Sequence, residues 1–263
     1  MKPVQRQDAA SPRVDPENFR VVAMFRHGKN AGGIALQEQV RRQFHDLSAA
    51  RQVGFQPVFQ PVNVVAAVSE VTQEDRLRAD LYKYLGLMLV GPPDQMLVDQ
   101  TAGLTGDDTP LGQAIQGLAR VAKVSKPKAV QTEYNALFIG LGRGELLPYA
   151  SYYLTGFLNE KPLANLRATM ANFGMTRADD IFEPEDNIAS LMEMMAGMIV
   201  GRFGRTATVA EQAEFFGAHI GTWAKHYFND LKAAKSSVLY ASIGAVGAAF
   251  MDIEREAFRM TAS

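Results

Sequence analysis

From Val71 to the C-terminus the chain is one helix-length segment after another, each closed by Gly, Pro or Asp. In residues 74–89, Leu77, Leu81, Tyr84, Leu85 and Met88 recur at helical spacing, and Gly91-Pro92-Pro93 stops the pattern. The same punctuation predicts a short helix near 93–102, one from Pro110 to Lys123 with its proline in the first turn, and one over 126–140. Further helices are predicted at about 149–158, 161–173, 187–203, 207–216, 218–234 and 236–260. The last of these is strongly apolar, which predicts a central, buried position. Strand character is confined to 19–25 and 57–68. A single all-α bundle of about ten helices is the expected fold.

The first 70 residues differ in kind. They hold 9 Lys/Arg against 6 Asp/Glu, whereas residues 71–263 hold 18 against 22. Residues 1–20 are polar and aperiodic, so disorder is expected. Residues 34–51 could form one amphipathic helix, and the two prolines within 53–63 favour an extended linker. The division is therefore an N-terminal extension, 1–70, and a helical domain, 71–263. Apolar residues make up 47% of the chain, enough for a sizeable core.

Composition excludes several function classes. There is no cysteine, hence no disulfide, thiolate nucleophile or Cys-ligated metal. The net charge of −1 gives no general attraction to nucleic acid or anionic lipid. No apolar run approaches the roughly 20 residues that span a bilayer, and the N-terminus has no apolar signal stretch, so a cytoplasmic location is expected.

Four constellations could carry chemistry. The glycine-rich loop Gly140 to Tyr149 lacks the preceding strand and the lysine of a phosphate loop, which favours a helix stop and turn. The stretch 179–193 holds Asp179, Asp180, Glu183, Glu185, Asp186 and Glu193 and no Lys or Arg. Such carboxylates either cap a helix or form an anionic patch for a basic peptide. Met192, Met194, Met195 and Met198 follow, and methionine suits both a core and an adaptable apolar surface. His219 and His226 flank Trp223 two turns apart with no acidic residue between them, a poor metal pattern. No nucleophilic triad surrounds Ser151, Ser190 or Ser242. A cofactor-free binding protein is expected, not an enzyme.

Taken in order, short motifs in this chain resemble one family. Glu133-Tyr134-Asn135-Ala136-Leu137-Phe138 is similar to the E-Y-x-x-L-F signature of the TorD/DmsD/NarJ chaperones of redox enzymes. Pro148-Tyr149-Ala150-Ser151-Tyr152-Tyr153 resembles that family's P-Y-x-S-x-Y, and Glu183-Pro184-Glu185-Asp186-Asn187-Ile188-Ala189 its E-P-x-D-H-I-A. Trp223, Phe228, Asp230-Leu231 and Tyr240 resemble its closing pattern. Order and spacing agree over about residues 74–258. The family histidine is replaced by Asn187, which can hydrogen-bond but cannot become cationic.

The resemblance implies a cytoplasmic chaperone. It would bind the twin-arginine signal peptide or the apo form of a molybdenum-cofactor oxidoreductase, such as a formate dehydrogenase or an enzyme of the dimethyl sulfoxide or trimethylamine N-oxide reductase type, until cofactor insertion and export. A guanine nucleotide is a lesser implication. Carboxylates match guanidinium groups bidentately, so Glu183, Glu185 and Asp186 are expected to meet the arginines. Tyr149, Tyr152, Asn187 and Met192 are placed nearby, while Glu133, Tyr134, Leu137, Phe138, Pro148, Ser151 and Trp223 are expected to be structural. The chain would be a monomer or a domain-swapped dimer. The alternative is a helical adaptor for another protein, with no preference for paired arginines. Within the extension, Arg41-Arg42-Gln43-Phe44 resembles the core of a twin-arginine signal.

Overall fold

The computed structural model describes residues 59–61, 71–140, 143–178 and 181–261. The amphipathic segment expected over 34–51, the strand-like 19–25, Leu141 and Gly142 of the glycine-rich loop, Asp179 and Asp180 lie outside the described residues. Within the described residues ten α-helices follow one another: α1 (Gln73–Val90), α2 (Gln95–Ala102), α3 (Pro110–Ala122), α4 (Pro127–Tyr134), α5 (Ala150–Thr155), α6 (Lys161–Asn172), α7 (Ile188–Val200), α8 (Val209–Phe215), α9 (Ala224–Ala233) and α10 (Leu239–Thr261). A two-stranded ribbon accompanies them, β1 (Phe59–Pro61) antiparallel to β2 (Met175–Arg177). Strand β2 carries no alternation that the sequence would show. Two helices run on into single π-helical turns, α4 through Asn135–Ile139 and α8 through Phe216–Ile220.

Local chemistry explains most boundaries. Thr72, Asp94, Thr109 and Asn187 each accept a backbone N–H of the turn they open. Thr208 and Glu211 form a reciprocal capping box at α8. The turn after α4 stops at Gly140, whose φ of +62° suits glycine, and a Cβ there would collide with the Arg143 carbonyl oxygen.

Packing gives the central place to α7, not to the last helix. Every residue from Ile188 to Ile199 is buried. Its neighbour α1 contributes Tyr82, Leu85 and Met88 to the same core. Helix α10 is buried mainly along its first half, packed on α9. There a Cβ at Gly247 would run into the Phe228 ring, so the close approach requires glycine. The core also encloses one ionic network. Arg78 donates from Nε and Nη2 to the two Glu254 carboxylate oxygens at 2.9 and 2.8 Å, and Tyr82 donates its hydroxyl to Glu254 at 2.9 Å. Arg78 also reaches Gln212 of α8 at 3.2 Å. This network ties α1, α8 and α10.

Asp80 lies on α1 between buried Ala79 and Leu81, and burial pushes its carboxyl up to about 6. The folded state therefore binds a proton more readily than the unfolded chain between about pH 4 and 6, and stability falls as pH rises through that window. Asp80→Asn is expected to raise stability by about 2 kcal/mol at pH 7.5 and to change it little at pH 4. Urea unfolding at both pH values checks this; equal effects at the two would refute it.

Candidate functional site

Two of the sequence motifs meet at one seam. Tyr149 and Asn187 form an isolated antiparallel bridge. The Ile188 N–H donates to the Pro148 carbonyl at 2.8 Å, and the Ala150 N–H donates to the Asp186 carbonyl at 3.0 Å. The seam starts two helices at once. The Asp186 carboxylate accepts the Ser151 N–H at 2.8 Å and the Ser151 hydroxyl, closing the first turn of α5 from a distant part of the chain. Its neighbour Asn187 accepts the Ala189 N–H at 2.9 Å and opens α7. The other half of the Asn187 amide donates to Glu183 at 3.2 Å. Asparagine thus uses both ends as a neutral cap and donor, so this position works here without a titrating imidazole.

Glu183 stands at the exposed edge of the seam. Its carboxylate accepts from the Tyr149 hydroxyl and from Asn187, both neutral donors. No Lys or Arg among the described residues pairs with that charge. Phe182 beside it is 86% exposed. Burial, and then the Glu183 carboxylate, raise the Tyr149 phenol well above its ordinary range. Tyr134 is pushed up to about 12 by burial first and by Glu183 second, which brings the first motif into the same electrostatic neighbourhood. One short helix beyond Tyr149, about 9 Å long, the exposed Leu154, Phe157 and Leu158 add apolar surface.

Other expected contact residues lie elsewhere. Asp186 is 1% exposed and committed to Ser151, so it cannot meet a guanidinium at the surface. Glu185 is 6% exposed and already paired, with Arg167 at 2.8 Å and Arg177 at 3.7 Å. Met192 is 0% exposed, and Met194, Met195 and Met198 are buried with it, so the methionine row is core. Tyr152 accepts from Arg143 at 2.5 Å under a guanidinium 5.1 Å from its ring centre. Glu193 is matched by Arg202 at 2.7 Å. Two carboxylates of the acidic stretch, Glu185 and Glu193, are thus matched in space by arginines that the stretch itself does not contain.

The structural motif residues take definite tasks. Glu133 accepts the N–H groups of Val238, Leu239 and Tyr240 at 2.7, 3.1 and 2.8 Å and so caps α10. Leu137 is buried, and the rings of Tyr134 and Phe138 pack on Tyr240. Trp223 donates from its indole to the His219 carbonyl at 2.8 Å and stacks near Tyr153. Tyr153 donates to Asp230 at 2.9 Å, joining the second motif to the last. Glu145, which the sequence did not single out, accepts the N–H groups of Lys235 and Ser236 at 2.6 and 3.1 Å.

The chemistry available is recognition. His219 is buried against Thr169 at 2.9 Å, and burial lowers its imidazole below the ordinary range. His226 is exposed. Among the described residues no three His, Asp or Glu side chains converge on a metal position, and no helix is long and apolar enough to cross a membrane.

Comparison with known proteins agrees with the motifs. Residues 104–229 match the family described as nitrate reductase delta subunit. The chaperone protein TorD of Vibrio atlanticus (strain LGP32) is 26% identical over 165 residues, 57% of this chain and 76% of that one. TorD of Aliivibrio salmonicida (strain LFI1238) is 25% identical over 134 residues, 48% of this chain and 62% of that one. A solved structure from Archaeoglobus fulgidus, assigned to redox enzyme maturation, is similar with a TM-score of 0.44 and 17% identity, covering 73% of this chain and 99% of that one. The curated relatives are named chaperones. The sequence is thus similar, over about half of the chain, to chaperones of the TorD type.

Proposed function

We propose that this chaperone captures the twin-arginine signal peptide of a molybdenum-cofactor oxidoreductase and holds the apoenzyme in the cytoplasm until its cofactor is inserted and export begins. The observation that carries this is Glu183, an exposed carboxylate held by neutral donors and lacking a cationic partner among the described residues. A guanidinium would complete it. Phe182 beside it, and Phe157 and Leu158 beyond α5, offer apolar surface to the segment that follows the arginines in such a peptide. Asp186, Asn187 and Ser151 hold the Glu183 loop in place without touching the ligand. A formate dehydrogenase or an enzyme of the dimethyl sulfoxide reductase type would supply such a peptide.

Calorimetric titration with a synthetic twin-arginine signal peptide tests the assignment. Glu183→Gln is expected to weaken binding about tenfold, as loss of one charge-assisted pair at a partly exposed site implies. Replacing both peptide arginines by lysine should weaken it comparably, since lysine cannot make the bidentate pair. Binding that ignores both changes would refute the site.

A helical adaptor without interest in arginines would use a different surface. A groove of about 500 Å³ opens between α3, α4 and the start of α10, lined by Val121, Val124, Val130, Ala136 and Val238. Substitutions there, and not at Glu183, would then govern partner binding.

A further inference from the structure

The ribbon fixes where the N-terminal extension reaches the bundle. Phe59 pairs with Arg177, Gln60 with Thr176 and Pro61 with Met175. Because the pairing is antiparallel, Phe59, the residue that joins the extension to the ribbon, lies at the Arg177 end of β2, the end from which the chain continues to the Glu183 loop. Arg177 itself touches that loop, donating to the Glu183 carbonyl at 3.3 Å. The extension is therefore anchored within one side chain of the proposed client site.

Charge and length suit a contact. Residues 1–58 hold nine Lys/Arg against five Asp/Glu, and Arg41-Arg42-Gln43-Phe44 offers two adjacent guanidinium groups and an aromatic ring. Arg42 precedes the anchor by 17 residues. Seventeen residues span at most about 55–60 Å when fully extended, and Arg42 needs only to return to a loop that begins at its own anchor. Tethering supplies an effective concentration on the order of millimolar, so even a weak ligand competes.

We propose that residues 41–44 are an internal ligand of this chaperone, placing an arginine on Glu183 and Phe44 beside Phe182, and that a client peptide must displace them. This rests on the assignment of Glu183 and Phe182 as the client surface. It adds a second occupant of that surface, supplied by the same chain.

Two measurements on the full-length chain separate this from the client assignment. The first is titration of the twin-arginine peptide into Arg41→Gln/Arg42→Gln. Affinity should rise about fivefold to tenfold when the internal competitor is removed, and unchanged affinity overturns the proposal. The second needs no client. The chain has no cysteine, so an introduced pair reports one contact. With oxidised glutathione added as the two-electron oxidant, Gln43→Cys with Phe182→Cys should form a disulfide at least fivefold faster than Ala31→Cys with Phe182→Cys. Gln43 and Ala31 lie 16 and 28 residues from the anchor at Phe59, and tether length alone accounts for only about a twofold difference. A ratio near two overturns the proposal. A high ratio in a protein that binds no twin-arginine peptide upholds the internal contact while removing the client assignment.

Discussion

Asp186→Ala is expected to lower unfolding free energy by about 2–3 kcal/mol and, with it, to abolish peptide capture at the seam. The carboxylate is buried and accepts both the N–H and the hydroxyl of Ser151. Alanine leaves that N–H without an acceptor at the first turn of α5 and leaves the Ser151 hydroxyl buried without its partner. Tyr149 lies just before that turn and bonds Glu183, so the recognition loop loosens with the helix. Asp186→Asn keeps an acceptor oxygen and should cost about half as much. Urea unfolding and peptide titration on the same samples check the coupling. If Asp186→Ala loses binding with no loss of stability, the carboxylate acts on the ligand directly and its placement inside the seam is wrong.

The largest loss of stability is expected from Glu254→Ala. Removing one member of a buried, hydrogen-bonded ion pair strands the other, and such changes cost about 3–5 kcal/mol. Here the stranded group is Arg78, which donates twice to Glu254 at 2.9 and 2.8 Å, and Tyr82 loses its acceptor as well. For a bundle of this size the melting temperature should fall by roughly 10 °C. Replacing both partners, Arg78→Met with Glu254→Met, should recover much of that loss, because both buried charges leave together and Asp75, the other carboxylate that Arg78 meets at 3.0 Å, is partly exposed. A melting temperature unchanged by Glu254→Ala would mean the pair is solvated.

The helices were legible in the sequence because their signals are local. Pro110, Gly91-Pro92-Pro93 and Gly140 mark boundaries within a few residues of where they occur, and helical spacing at Leu77, Leu81 and Leu85 needs no partner to be read. The site was legible only in outline. Its motifs locate the seam, but which carboxylate faces outward depends on Arg167, Arg177 and Ser151, none of which lies within the motif it engages. Glu183, Glu185 and Asp186 are equivalent in a string of letters. Folding makes one a surface acceptor, one half of an ion pair and one a helix cap. In sequence the methionine row stays open between core and surface for a related reason, with Met192 expected at the client surface: whether such a helix lines a groove or a core depends on what surrounds it, and α7 is buried on every side. Strand β2, at three residues, is too short to have a period.

The cap that Glu133 provides for α10 has a consequence for how the protein is made. Its acceptor and the Val238 amide are 105 residues apart. At synthesis rates of about 5–20 residues per second, α4 leaves the ribosome roughly 5–20 s before the segment it must close. During that interval the rings of Tyr134 and Phe138 have no Tyr240 to cover them. The newborn chain thus passes through a stage in which it exposes the kind of apolar surface that chaperones shield in other proteins, and its final helix ends that exposure.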